Sequence, residues 1–333
     1  MPEISILMPI RNEERYLPAA LDSLYRQTHT AWELVAVDDG SSDRTAAILA
    51  ESARRDRRVK VISRKGGGLV AALNAGLEAC RAPLLARLDG DDICHPRRLE
   101  RQAAYLNASP DTGLVACNFR HFPRSDIKQG MIDYESWQNA LTGHPLIIRD
   151  LFVESPFVHP SIMVRRAVLD QLGGYHDRDW PEDYDLWLRM AASGVQFARL
   201  PQTLLFWRDH PERATRTMNE YALQAFRACK CHHLLNGFLK DTEDLVIAGA
   251  GLEARAWQRL LSAAEVTVSS WLDVDPRKIG STLHNAPVIS PDELHLNGRK
   301  MIVAIGVRGA REQFRKLAQK RGWHEGVDFV CVA

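Results

Sequence analysis

Apolar positions along this chain recur in two periods, and the alternation between them outlines an architecture. Ile4-Ser5-Ile6-Leu7-Met8-Pro9 is an apolar run of strand length, and Leu17, Leu21, Leu24 and Tyr25 follow at helical spacing. Trp32-Glu33-Leu34-Val35-Ala36-Val37 predicts a second strand. It stops at Asp38-Asp39-Gly40-Ser41-Ser42-Asp43, a polar turn able to cap the next helix. Val59-Lys60-Val61-Ile62 predicts a third strand, and Gly66-Gly67-Gly68 introduces a helix with Leu69, Ala72, Leu73, Gly76 and Leu77 on one face. Leu84-Leu85-Ala86-Arg87-Leu88 predicts a fourth strand that runs directly into Asp89-Gly90-Asp91-Asp92, with Pro96 at the first turn of a helix beyond. Strands alternating with helices of this length imply a largely parallel α/β sheet. Ligands of such sheets bind beyond the carboxyl ends of the strands, where the polar clusters after Pro9, Val37 and Leu88 all fall.

The pattern weakens from about Arg120 to Ser155, a stretch expected to be an insertion or lid. Helical spacing returns between Met218 and Leu239, at Tyr221, Ala225, Ala228 and Leu235. After Lys240-Asp241-Thr242-Glu243 a second α/β series begins with Leu245-Val246-Ile247-Ala248 and continues with strands at Val266 to Leu272, Met301 to Ile305 and Val327 to Val332. The expected division is therefore into residues 1–240 and 241–333, which suits a length of 333 residues.

Composition narrows the class. A hydrophobic share of 45% supports ample core, and 43 Lys+Arg against 42 Asp+Glu argue against a basic nucleic-acid binder. No apolar run approaches the roughly 18 residues of a membrane span, and Met1-Pro2-Glu3 has no basic start of the signal-peptide kind. Six cysteines without a disulfide rhythm suit a reducing compartment. The expectation is a soluble cytoplasmic protein. The basic run Arg54-Arg55-Asp56-Arg57-Arg58 reads as a solvated face, with contact to anionic lipid head groups as the lesser alternative.

Four clusters could carry chemistry. In Asp89-Gly90-Asp91-Asp92, side chains two apart on an extended segment point the same way, so Asp89 and Asp91 can converge on a hard divalent cation such as Mg²⁺ or Mn²⁺. The bland alternative is a solvated turn. Glu182-Asp183, opening an amphipathic helix, is explained either by the positive helix amino terminus or as a general base. His210 follows a strand-like Thr203 to Trp207 and becomes a ligand only where the fold brings it to Asp91. Gly249-x-Gly251-x-x-Ala254, with Asp273 about 20 residues on, matches the dinucleotide fingerprint. Cys229-x-Cys231-His232-His233 has no partner pair at metal-site spacing and lies in a helical stretch, which argues against zinc.

Residues 3 to about 215 resemble the family 2 glycosyltransferases of the GT-A fold. The likeness runs through Met8-Pro9-Ile10-Arg11-Asn12-Glu13-Glu14, Ser23-Leu24-Tyr25-Arg26-Gln27-Thr28, Val37-Asp38-Asp39-Gly40-Ser41-Ser42-Asp43 and Ala72-Leu73-Asn74-Ala75-Gly76-Leu77. It continues in Leu88-Asp89-Gly90-Asp91-Asp92 and Glu182-Asp183-Tyr184-Asp185-Leu186-Trp187-Leu188-Arg189. The resemblance implies an α/β GT-A nucleotide-sugar-binding domain and inverting transfer from a nucleoside-diphosphate sugar, with uridine the expected base. It implies that Pro9, Arg11, Glu13 and Asp39 hold the nucleoside and that Asp89 and Asp91 form the Asp-x-Asp motif. Asp91 would bind Mn²⁺ or Mg²⁺ on the diphosphate, His210 would lie near metal and phosphates, and Asp183 would be the catalytic base. Many members carry a basic residue after the third strand. Here the segment reads Arg64-Lys65-Gly66-Gly67-Gly68, and Lys65 takes that place.

The C-terminal segment Trp271-Leu272-Asp273-Val274-Asp275-Pro276-Arg277-Lys278-Ile279-Gly280 resembles the small Rossmann-like domains of bacterial sugar acyltransferases and polysaccharide-biosynthesis epimerases. Together the two likenesses imply surface-polysaccharide assembly, with a saccharide or lipid-linked acceptor, peripheral membrane contact as an option and no nucleic-acid partner. The alternatives are a nucleotide-sugar oxidoreductase or epimerase run by the C-terminal domain, or a non-catalytic nucleotide-sugar scaffold. Against the former, that domain has no Tyr-x-x-x-Lys pair.

Overall fold

The first apolar run becomes strand β1 (Ile4–Ile10), buried along its whole length, as a strand covered on both faces must be. In the computed structural model, which describes residues 1–333, β1 lies inside an eight-stranded sheet. The other strands are β2 (Trp32–Asp39), β3 (Val59–Arg64), β4 (Leu84–Arg87), β5 (Ile93–Cys94), β6 (Thr112–Phe122), β7 (Ile162–Arg165) and β8 (Gln196–Arg208). Their order is β3-β2-β1-β4-β7-β6-β8-β5. The first four run parallel, β7 is antiparallel to both β4 and β6, and β8 is parallel to β6. Two reversals restore direction, so β6 and β8 point the same way as β1, β2 and β4. The carboxyl ends of β1, β2, β4 and β8 therefore open on one edge.

Packing of the crossover helices is tight. Gly76, in the helix Leu69–Ala79, faces β1 and β2; a Cβ there would overlap Leu7 Cδ1 and stand 2.9 Å from Val37 Cγ2. At the antiparallel junction a buried arginine takes the place of apolar packing. Arg98 donates from Nη2 to the carbonyls of Arg87 (2.9 Å) and Ile162 (3.1 Å) and from Nε to Gln102 Oε1 (3.0 Å). Gln102 Nε2 donates in turn to the carbonyls of Val115 (3.0 Å) and Ser161 (2.9 Å). Two side chains thus tie β4, β6, β7 and the turn before β7 together.

The stretch expected to be irregular is structured. Strand β6 extends to Phe122, and helices Gln129–Asn139 and His144–Asp150 follow. The apolar period was hidden because the first of these helices buries Glu135 and Gln138. Glu135 Oε2 accepts from His121 N (2.8 Å), and Asn139 brackets the backbone of Phe119 from Oδ1 and Nδ2.

The chain divides into two compact units, residues 1–147 with 156–219 and residues 148–155 with 220–333. The second takes up the chain at Glu220, so the boundary expected near residue 241 lies inside it. Its strands are β9 (Asp244–Ala248), β10 (Thr267–Leu272), β11 (Thr282–Leu283), β12 (Ala286–Ile289), β13 (Lys300–Val303) and β14 (Phe329–Cys331), in the order β11-β12-β10-β9-β13-β14. All pair in parallel except the β11–β12 hairpin, with β9 and β10 at the middle of the sheet. Within this unit buried Lys230 donates to the carbonyls of Val153 (2.7 Å) and Val332 (3.2 Å), and Arg315 joins Asp150 to Glu325. No helix is long and apolar enough to cross a membrane, and none of the six buried cysteines is joined in a disulfide.

Because Gly76 leaves no room for a side chain, Gly76→Val is expected to destabilise the first unit by about 3 kcal/mol through overpacking. The check is the midpoint of urea unfolding; an unchanged midpoint would mean that the helix can move off β1 and β2 freely.

Candidate active site

The loops leaving β1 and β2 are stitched together by side-chain caps. Asn12 sits in the left-handed region at φ 57°, a conformation asparagine tolerates better than most residues. Its amide donates to Ser41 Oγ (2.9 Å), and its Oδ1 accepts from Ser42 N (2.8 Å). Glu13 N donates to Thr45 Oγ1 (2.8 Å) and Glu14 N to Asp43 Oδ2 (3.0 Å). Asp39, buried at the end of β2, accepts from the amides of Gly67 (3.1 Å) and Gly68 (2.8 Å) and from Arg64 Nε (3.3 Å). The glycine loop is therefore folded onto this carboxylate.

Beyond β4, ligand oxygens of Asp89, Asp91 and Asp92 lie within 4.8 Å of one another. Each is held differently. Asp89 is paired with Nη1 of Arg87. Asp91 Oδ2 meets His210 Nε2 at 2.9 Å, a contact across 119 residues of sequence. Asp92 Oδ1 accepts from Arg208 N (2.8 Å), while its Oδ2 is buried with no hydrogen-bond partner. Burial, and then the charges of Asp91 and Asp89, push the Asp92 carboxyl well above the usual carboxylate range. Glu13 faces the same cluster: burial, then Asp91 and Asp89, push its carboxyl up to about 8. Gly90 allows this approach, since a Cβ there would stand 3.2 Å from Glu13 Cγ.

From the end of β8, Arg208 donates through Nε to the carbonyl of Asp91 (2.7 Å). Its guanidinium lies over the rings of Tyr16 (4.5 Å) and Phe122 (4.3 Å). The His210 ring packs 5.0 Å from Tyr16, and its Nδ1 is buried with no partner.

The helix Glu182–Ala192 carries the second acidic group. Asp183 is partly accessible and accepts from Tyr184 N (2.6 Å). Burial and then the neighbouring Glu182 raise its proton affinity, and the Arg87 charge opposes them. Glu182 faces His159 Nδ1 at 3.4 Å, and His159 Nε2 meets the Tyr175 hydroxyl at 2.9 Å, which makes His159 a buried, hydrogen-bonded residue. The turn before the helix is fixed from two sides. Asn74 clamps the backbone of Tyr175 (Nδ2 to O 2.8 Å, N to Oδ1 3.0 Å). Arg189, paired with Asp185 at 2.7 Å, donates to the carbonyls of Leu172 and Gly174.

Of the residues singled out in the sequence, Glu13, Asp89, Asp91 and His210 are thus gathered at one place. Pro9 lies in β1 opposite Val37, and Arg11 and Lys65 are exposed on their loops. The basic residue that reaches Asp39 is Arg64, one position earlier than Lys65. Sequence reasoning also passed over Arg87, Arg208 and Tyr16; the available signal was a lone arginine within an otherwise apolar strand and another two positions before His210. In the second unit, Asp273 accepts from Ala250 N (3.0 Å) and Lys278 Nζ (2.8 Å), so the acid of the dinucleotide-like fingerprint is engaged by its own loop.

A family model described as Glycosyl transferase family 2 matches residues 5–173. The amylovoran biosynthesis glycosyltransferase AmsE of Erwinia amylovora is 34% identical over 208 residues, covering 60% of this chain and 74% of the relative. A UDP-Gal:alpha-D-GlcNAc-diphosphoundecaprenol beta-1,3-galactosyltransferase of Escherichia coli is 29% identical over 264 residues, covering 78% and 92%. Among solved structures, S. aureus TarS 1-349 in complex with UDP-GlcNAc superposes with a TM-score of 0.58 at 18% identity, covering 79% of this chain and 71% of that one. That likeness supports the GT-A fold.

Glu13 generates a pH dependence of its own. Its proton is held up to about 8 in the folded state against an ordinary value of 4.5, so the folded state binds the extra proton between these values. Its contribution to stability is complete below the lower value and is lost as pH rises through the upper one. Glu13→Gln is expected to flatten the fall in stability between about pH 5 and 9. Urea midpoints across that range are the check, and identical slopes for both proteins would contradict the burial of an acid at this position.

Proposed function

The chain belongs to glycosyl transferase family 2, and from that premise we propose that it transfers a sugar from a uridine-diphosphate carrier to a hydroxyl of a saccharide or lipid-linked acceptor in surface-polysaccharide assembly. The observation that carries this reading is the meeting of Asp91 with His210 beside Asp89 and Asp92. A hard divalent cation, Mg²⁺ or Mn²⁺, fits that donor set: carboxylate oxygens in a tight group, one of them buried and unsatisfied, with an imidazole alongside. Asp89, Asp91, Asp92 and His210 would hold it. When bound, the cation supplies positive charge to the leaving diphosphate.

The chain's own residues do the rest. The ends of β1 and β2, with Pro9, Arg11, Glu13 and Asp39, form the nucleoside side of the edge, and the loop bearing Arg64 and Lys65 closes against Asp39. Asp183 accepts the proton of the acceptor hydroxyl as its oxygen bonds to the anomeric carbon and the bond to the diphosphate breaks. Attack from the face opposite the leaving group inverts the configuration. The choice of uridine is supported by a relative named for UDP-Gal and a similar fold with UDP-GlcNAc, and a lipid-linked acceptor by the same relative's diphosphoundecaprenol. The reading centred on the C-terminal unit has no comparable support, since Asp273 is already paired with Lys278.

Asp183→Asn is expected to lower turnover by about 10²- to 10⁴-fold while leaving Mn²⁺-dependent UDP binding unchanged. UDP release from UDP-galactose with a GlcNAc-diphospholipid acceptor, and calorimetry with UDP and Mn²⁺, are the two measurements. Undiminished turnover would remove Asp183 from the base role, and UDP binding indifferent to metal would remove the cation.

A further inference from the structure

We propose that Arg208 and Tyr16 are positioning residues of the cation site, completing a closed ring of contacts that fixes Asp91 and His210 against each other. The inference rests on the reading above, in which Asp91 and His210 serve a divalent cation.

The acidic turn does little to hold itself. The main-chain bond that closes it, Asp92 N to Asp89 O, is long at 3.4 Å. Its three carboxylates, with oxygens within 4.8 Å of one another, repel. The hold comes from the end of β8. Arg208 N donates to Asp92 Oδ1 (2.8 Å), and Arg208 Nε donates to Asp91 O (2.7 Å). Two residues on, His210 Nε2 meets Asp91 Oδ2 at 2.9 Å. One strand end thus grips Asp91 by its main chain and by its carboxylate.

Aromatic rings aim that strand end. The Arg208 guanidinium lies 4.3 Å from the ring centroid of Phe122, its register partner in β6, and 4.5 Å from that of Tyr16. Tyr16 arrives from a different loop. It stands at the N-cap of the helix Leu17–Tyr25, and its amide donates to Glu13 O (3.1 Å). The same ring packs 5.0 Å from the His210 ring. Contacts therefore run from Arg208 to Asp91, from Asp91 to His210, from His210 to Tyr16, and from Tyr16 back to Arg208. Residues that act as one connected set lose most of their effect when any one of them is removed. Arginine suits its place because its flat face packs on rings while its edge donates to a carbonyl. Groups that orient metal ligands in this way govern metal affinity without touching the metal.

The test is calorimetry of UDP binding to the full chain at increasing Mn²⁺, with circular dichroism as the folding control. The quantity read is the Mn²⁺ concentration that gives half the maximal tightening of UDP binding. Arg208→Met and Tyr16→Leu are each expected to raise it by about tenfold, while UDP affinity in EDTA changes by less than about twofold. A general loosening of the fold would weaken both. The double variant should raise the requirement little beyond either single one, since the ring is already open. Tyr16→Phe keeps the ring and should recover most of the loss; Arg208→Lys keeps the charge without the flat face and should recover part. A wild-type Mn²⁺ requirement in Arg208→Met and Tyr16→Leu would overturn the proposal, as would full additivity in the double variant. If Arg208→Met does not fold, a wild-type requirement in Tyr16→Leu would overturn it alone. UDP binding by the wild type that ignores Mn²⁺ would bring down the cation reading itself, and this inference with it.

Discussion

Crowding of negative charge at one edge of the sheet is the constraint that the rest of this site answers. The ends of β1, β2 and β4 and the loops after them carry Glu13, Asp38, Asp39, Asp43, Asp89, Asp91 and Asp92, and the helix Glu182–Ala192 opens on Glu182 and Asp183. Some of these charges are satisfied within the fold. Asp39 takes two amides and Arg64, Asp38 takes Ser41 N, Asp43 takes the amides of Glu14 and Thr45, and Asp89 takes Arg87. Asp91 meets His210 and Glu182 faces His159, which leaves Glu13, Asp92 and Asp183, three carboxyls that hold protons more tightly than usual. An edge built this way is short of positive charge, and a cation or a proton must supply it.

Holding such an edge together requires stiffness behind it. The parallel half of the sheet obtains stiffness from apolar burial, with Gly76 letting a helix settle directly on Leu7 and Val37. The antiparallel half obtains it from hydrogen bonds, through Arg98 and Gln102 reaching four carbonyls. The second device reaches the strand that leads into the acidic cluster, since Arg98 binds the carbonyl of Arg87, the last residue of β4. A strand end fixed from behind can present Asp89, Asp91 and Asp92 without itself yielding to their repulsion.

Much of this was legible in the residues, for identifiable reasons. Parallel strands are buried on both faces and write themselves as continuous apolar runs, so β1, β2 and β4 stood out, and the acids at their ends followed. Asp89, Asp91, Asp183 and His210 were visible as residue types in context, but the meeting of His210 with Asp91 depends on pairing β8 with β6, which no local pattern records. The helix Gln129–Asn139 was missed because it packs through Glu135 and Gln138, so its inward face carries no apolar stripe. That Arg64 turns toward Asp39 is a matter of register, which residue type does not record. Arg87 carries no signal of its own in the sequence, since its ion pair with Asp89 and its burial are set by the fold.

The contact between Asp91 and His210 also has a consequence in time. The acids leave the ribosome early, and the imidazole that meets them follows 119 residues later. In between, the chain must lay down β6, β7 and the base helix, and β8 must then align beside β6 over its whole length. A nascent chain interrupted before that pairing would carry its acidic cluster uncapped, with no histidine and no Arg208 to close over it. Only a chain that has completed its eighth strand can have the whole site.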